Sequence, residues 1–259
     1  MKKLIVFCLI AVFAAQSCTG RVSDAKGVHT EERSFDSFDG IKVSKFLNAK
    51  VVKGDHYGVK VNVPQQYADY LTVEIDSENN LVIRISSDKK EPKRSDKFEA
   101  EITCPSFDRI LVENLASVEV ISEYTFENIK LVARSLASIS FKEQAEVKNN
   151  CQIEANDLAK MTLNLVAENL LAKSTSMSVI TVSGTVSALD VNASDMAKIN
   201  CRKLNTKTAK VRARAMSEID VQADERFELS ASDMSRIRYT GAGEVAKTHA
   251  ESMSTIRKK

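Results

Sequence analysis

The chain has no Trp, three Pro and eight Gly in 259 residues. A β sandwich turns through many tight loops, and those loops draw on Gly and Pro. That punctuation is nearly missing, so something else must turn this chain. Cysteine is also sparse: beyond the N-terminal segment only Cys104, Cys151 and Cys201 remain. They are odd in number and far apart, which gives neither a disulfide framework nor metal-ligand spacing. Each is expected to be a small buried hydrophobe.

The three histidines, His29, His56 and His249, are isolated along the sequence. The sequence contains no zinc motif, P-loop or nucleophile elbow, so no metal and no cofactor is expected. Charge of one sign is lacking too. Without Lys2 and Lys3 the 37 basic residues fall to 35, equal to the 35 acids. A basic footprint for nucleic acid is therefore absent.

No apolar run approaches the roughly twenty residues needed to span a bilayer. The longest, Leu4 to Ala15, follows Lys2 and Lys3, and residues 1–17 have the layout of a secretory signal. "AAQSC" then places Cys18 directly after small residues, which resembles the lipobox of bacterial lipoproteins. Cys18 is the expected lipid-attachment residue, with residues 18–34 as a lipidated tether. The lipid would hold the protein to a membrane, each buried methylene contributing about 0.8 kcal/mol. The expected location is the cell envelope, on the outer membrane or its periplasmic face.

What the sequence does contain is a repeat. "ASDMAKI" at 193–199 returns as "ASDMSRI" at 231–237, and the pattern extends to eight copies. Their anchors are Leu115, Leu136, Leu158, Met177, Met196, Met216, Met234 and Met253, spaced 21, 22, 19, 19, 20, 18 and 19 residues apart. One position after each anchor stands Ala or Ser. Three after come Val118, Ile139, Met161, Ile180, Ile199, Ile219, Ile237 and Ile256. Three before are small residues, mostly Ala, and polar residues fill the places between.

Alternation with period two marks strands with one buried face. Each repeat therefore reads as two short strands meeting at a bend, with the Leu or Met anchor filling the corner and a short segment returning the chain. Helical repeats are longer and show 3.6-residue periodicity, and a propeller blade needs about forty residues. The expected fold is all-β: a single-stranded parallel β-helix, or solenoid, of about eight coils of roughly twenty residues over 109–259. Like positions then stack at about 4.8 Å, and seven steps give a rod of roughly 34 Å. Residues 35–108 alternate without a clean period and are expected to form an irregular β-rich first portion or cap.

The repeat, with "SFDSFDGIKV" at 34–43 and "ENNLVIRI" at 78–85, resembles the family described as putative auto-transporter adhesin, head GIN domain. The resemblance runs from about Phe35 onward. It implies an exported β-helical protein of Bacteroidetes-type bacteria, often lipid-anchored, and an adhesive role. Where that family often turns on Gly, this chain has Asp195-Met196, Ala215-Met216 and Asp233-Met234, so its corners are bulkier and more apolar.

The residue before each anchor offers the one column with possible chemistry. It holds Asp157, Asp195 and Asp233 on alternate coils, about 10 Å apart by strand spacing. That lies just outside the roughly 6.5–9.5 Å between the carboxylates of inverting glycosidases. Asp at a bend also accepts hydrogen bonds from nearby backbone amides. This ladder is the candidate ligand or turn-capping site. The leading expectation is a non-enzymatic structural or adhesive module, with a glycan or a surface protein as possible partner. The alternative is a carbohydrate-active enzyme or glycan-binding protein on the same fold.

Overall fold

A computed structural model describes residues 19–23, 27–86, 92 and 96–259; Cys18 and the signal-like segment lie outside them. Eight strands come first: β1 (Thr19–Ser23), β2 (Val28–Phe35), β3 (Gly40–Ser44), β4 (Asn48–Lys53), β5 (Tyr57–Pro64), β6 (Leu71–Ile75), β7 (Asn80–Ile85) and β8 (Glu99–Cys104). A 3-10 helix, Gln65–Tyr70, joins β5 to β6. The repeats supply β9 (Arg109–Glu113), β10 (Ser117–Val120), β11 (Thr125–Arg134), β12 (Ser138–Phe141), β13 (Ala145–Ala155), β14 (Lys160–Ser174) and β15 (Val179–Ala193). They continue with β16 (Lys198–Ala213), β17 (Glu218–Gln222), β18 (Arg226–Ala231), β19 (Arg236–Thr240), β20 (Glu244–Ala250) and β21 (Thr255–Lys258).

The repeats stack as the period requires. After the corner, Val118, Ile139, Met161, Ile180, Ile199, Ile219, Ile237 and Ile256 pair in parallel register, one above the next. Before the corner, Ile110, Leu131, Ile153, Ala172, Val191, Val211, Leu229 and Thr248 do the same. Two parallel walls therefore face each other across a mainly apolar interior. The members from Ile110 to Leu229 and from Val118 to Ile237 are buried. Each fully buried Ile or Leu contributes roughly 1.5–3 kcal/mol relative to exposure, and the column repeats this in every coil. Cys104, Cys151 and Cys201 lie in that interior as free thiols. Burial pushes Cys151 and Cys201 up to about 12, so they remain neutral core residues.

Little glycine is needed because the long strands bend without it. In β14, Met161, Leu163, Leu165 and Ala167 point inward, the phase shifts at Glu168 and Asn169, and Leu170, Ala172 and Ser174 resume. Gly184 is an exception: its φ is +113° and a Cβ there would lie 2.0 Å from the Leu165 carbonyl oxygen. The backbones of adjacent coils approach so closely at that point that no side chain fits.

The first portion holds two more coils, threaded out of order. β3 pairs in parallel with both β7 and β9, and β4 with both β8 and β10. The β3–β4 coil is thus sandwiched between β7–β8 and the first regular coil, although β7 and β8 come later in the chain. Beyond it the strands run the other way. β5 pairs antiparallel with β8, β2 with β5, and β6 with β7. Tyr67 and Phe98 pack edge to face at 5.1 Å beneath this cap, and Tyr67 donates a 2.9 Å hydrogen bond to Asp96.

Candidate functional site

The corners differ from the expectation in one respect that changes the surface. In every repeat the anchor and the residue before it both have positive φ, from Asn114 (+56°) and Leu115 (+65°) to Ser252 (+51°) and Met253 (+59°). Two successive left-handed residues reverse the pleat, and both side chains swing outward. Leu115, Leu136, Leu158, Met177, Met196, Met216 and Met234 are 48–54% exposed, and Met253 is 84% exposed. The anchors do not fill the corner from inside. They form a continuous apolar file along the outer edge of the rod.

The conformation is that of a two-residue turn with both central φ positive, which normally selects Asn-Gly or Asp-Gly. A left-handed L-residue costs roughly 1–2 kcal/mol, and two features offset it. The anchor amide donates to the carbonyl of the preceding residue's counterpart in the next coil, as in Met177 to Asp195 (2.9 Å), Met196 to Ala215 (2.9 Å), Met216 to Asp233 (2.8 Å) and Met234 to Ser252 (2.9 Å). The small residue after the anchor turns back inward beneath the bend. Where it is Ser, its hydroxyl donates to the opposite wall, as from Ser178 to the Ala155 carbonyl (2.7 Å) and from Ser217 to that of Ala193 (2.9 Å). In the first seven repeats this position is buried, so Ala suits it and Ser also gains a buried partner.

A ninth corner extends the file. Lys45 (+59°) and Phe46 (+64°) have the same geometry, Phe46 is 38% exposed, and its amide bonds to the Asn114 carbonyl at 3.2 Å. Its signal was in the sequence, since Ile41, Val43, Ala49 and Val51 occupy the repeat columns. Leu47 stands where Ala or Ser is the rule, however, and the chain makes a long excursion before Leu115. From Phe46 to Met253 the ridge runs about 38 Å at the strand spacing. Nine side chains about half exposed present on the order of 900 Å² of largely apolar surface, beyond the ~300–600 Å² of the largest patch on a typical monomer.

Asp157, Asp195 and Asp233 sit on one flank of this ridge, exposed, on alternate coils, with Ser176 and Ala215 between them. The structure does not bring them together. The carboxylates of Asp195 and Asp233 accept hydrogen bonds from the neighbouring hydroxyls of Ser194 (2.8 Å) and Ser232 (3.0 Å). Each histidine has an acidic neighbour: His29 lies 3.7 Å from Glu31, His56 2.8 Å from Asp55 and His249 3.2 Å from Glu251. Among the described residues no group of three or more His, Cys, Asp or Glu is placed to hold a metal ion.

Two polar features lie on the wall after the corner. Arg238 grips Asp220 with two bonds (2.6 and 2.7 Å), and Arg202 reaches the same carboxylate from the coil on its other side (3.2 Å). Burial alone would raise the Asp220 carboxyl, but the bonds and charge of Arg238, with Arg202 beside them, hold it below the usual carboxylate range. The sequence concealed this pair, because its outward column mixes both signs. Nearer the cap, a depression of about 670 Å³ is lined by Asn48, Lys50, Lys60, Asn62, Glu101 and Ser117 among others. Part of its charge is already paired: Lys60 with Glu32 at 2.7 Å, and Glu119 with Lys142 at 3.0 Å.

Solved structures share this architecture. A protein of Parabacteroides merdae described as "a putative adhesin" superposes with a TM-score of 0.82 at 15% identity, covering 92% of this chain and 98% of that one. A protein of Parabacteroides distasonis titled "Putative lipid binding protein" gives 0.76 at 16% identity, covering 91% and 98%. A second P. distasonis structure, titled a putative adhesin, gives 0.72 at 19% identity, covering 90% and 94%. At these identities the likeness is one of fold. No curated protein matches the chain. The family described as "Putative auto-transporter adhesin, head GIN domain" matches residues 37–243, which span the intercalated first coils and seven of the eight regular corners, and the chain belongs to that family.

Proposed function

We propose that this protein is a non-enzymatic, lipid-anchored module of the cell envelope that adheres through its corner ridge. The observation that carries the reading is the ridge itself: about 38 Å of apolar side chains held outward on a hydrogen-bonded backbone at a cost in conformational strain. Apolar surface of that extent marks an interaction site. The lipid on Cys18 would tether the rod by its N-terminal end, leaving the ridge free to meet a surface protein. Adhesion by cells producing the chain is the test, comparing wild type with a Met196→Lys, Met216→Lys, Met234→Lys variant whose corner backbone is unchanged. Adhesion should fall several-fold with export intact, and equal adhesion would overturn the reading. Mass spectrometry of the membrane-extracted protein should find acyl groups on Cys18.

A second reading, glycan binding, is favoured by the polar depression near the cap, lined by Asn48, Asn62 and Ser117, where the Ser117 hydroxyl donates to Asn48 and that of Thr30 to Asn62, leaving both side-chain amide NH2 groups to donate. Asn62→Ala with Lys50→Ala should then abolish glycan capture while the ridge variant retains it.

A further inference from the structure

The ridge changes composition part-way along. Its first four corners carry Phe46, Leu115, Leu136 and Leu158, and its last five carry Met177, Met196, Met216, Met234 and Met253 without interruption. The whole chain holds seven methionines, and outside this file only Met1 and Met161 remain. Apolar character alone does not account for the switch, since Leu occupies the same exposed, left-handed position in three consecutive coils. What Met adds is sulfur: a soft, polarizable thioether on a flexible stem.

We infer that the methionine half of the ridge binds a soft monovalent metal ion, copper(I) being the biological example. Thioethers select copper(I) over harder ions. The corner hydrogen bonds of 2.8–2.9 Å hold successive Met residues in register, coil upon coil, so adjacent side chains emerge in parallel about 4.8 Å apart. A metal–sulfur bond near the ~2.3 Å of zinc–thiolate makes a linear sulfur–metal–sulfur unit span about 4.6 Å. Two neighbours in the file can therefore flank one ion without moving the backbone. Asp195 and Asp233 stand next to Met196 and Met234 on the same exposed edge and supply negative charge beside a cation. The buried thiols of Cys104, Cys151 and Cys201 lie in the interior and do not compete.

Pairwise binding makes a prediction about position as well as number. Five thioethers in a row hold two disjoint neighbouring pairs. Met216→Leu leaves both Met177–Met196 and Met234–Met253. Met196→Leu and Met234→Leu each leave one pair, and the double variant Met196→Leu/Met234→Leu leaves none while keeping three exposed methionines. Every substitution places a residue the file already uses, so folding should be retained, and Met161→Leu serves as a buried control. The purified protein is titrated with copper(I) under ascorbate against a colorimetric copper(I) chelator, and with silver(I) in parallel. The result expected is about two ions for wild type, Met216→Leu and Met161→Leu, about one for each single variant, and none for the double variant. No binding by wild type, or binding that follows the number of methionines regardless of position, would overturn the proposal. Loss of binding in Met161→Leu with the ridge intact would do the same. The measurement uses free protein in solution, so it stands or falls separately from adhesion.

Discussion

The two ends of the rod solve one problem differently. A parallel stack leaves each terminal coil with unpaired strand edges, which invite pairing with another chain. At the N-terminal end β5, β2 and β6 run against the stack, and Val59, Val61, Val63 and Tyr67 are buried beneath or between them. At the other end, among the described residues, β20 pairs only with β18 and β21 only with β19, and most of their residues are exposed. Arg257, Lys258 and Lys259 place positive charge on that edge, and charge on an edge strand discourages further pairing. The difference teaches that a coil is stabilised by the coil above it as much as by its own sequence. Ile237 and Ile256 occupy the same column, yet Ile237 is fully buried and Ile256 only partly.

That contrast can be broken directly. Ile237→Ala should lower stability by about 2–5 kcal/mol, as for other large-to-small changes in a core, whereas Ile256→Ala should cost under about 1 kcal/mol. Urea unfolding of the two variants measures the difference, and equal losses would mean that the final coil is covered.

Next in size is the ion pair of the penultimate coils. Arg238→Ala leaves the Asp220 carboxylate with Arg202 alone and should cost about 1–3 kcal/mol. The pH dependence has a definite sign. The folded carboxyl titrates below its unfolded value of about 3.9, so its stabilisation is present above that pH and is lost as pH falls through the lowered folded value. Asp220→Asn should remove that part of the acid limb, read as thermal midpoint against pH.

Corner substitutions should have smaller effects. Met196→Val puts a β-branched side chain at φ +62° and should destabilise by about 1–2 kcal/mol. Asp233→Gly, at φ +54°, should be neutral or stabilising by up to about 1 kcal/mol, since Gly bears no left-handed penalty. Smallest of all, Met234→Leu should lie within ~0.5 kcal/mol of wild type, because the side chain touches water before and after. Calorimetry on the three separates backbone strain from side-chain burial.

Much of this was legible beforehand because a stack repeats its constraints. Inward positions such as Ile199, Ile219 and Ile237 recur with period two inside a coil and about twenty between coils, and the eye can sum them. The anchors misled for the same reason: a repeating apolar column reads as buried. Only the paired positive φ values at Asp195–Met196 and its equivalents turn that column outward, and no periodicity reports a reversed pleat. The β3–β4 coil carries the repeat columns, but its place in the stack was hidden by threading, since its stacking partners β7 and β9 lie far along the chain. Asp220 and Arg238 were hidden because a partner one coil away looks, in sequence, like any other charge. Asp195 and Asp233 instead bond the serine hydroxyls beside them in the sequence, Ser194 and Ser232.

By itself the sequence determined that a coil exists, how many residues it takes and which wall positions face inward, because burying alternate side chains leaves its mark locally in every repeat. Only the tertiary structure decided which way the corners point and in what order the first coils stack. Those depend on hydrogen bonds between backbones about twenty or more residues apart, and the backbone is the part of the molecule that sequence letters do not spell.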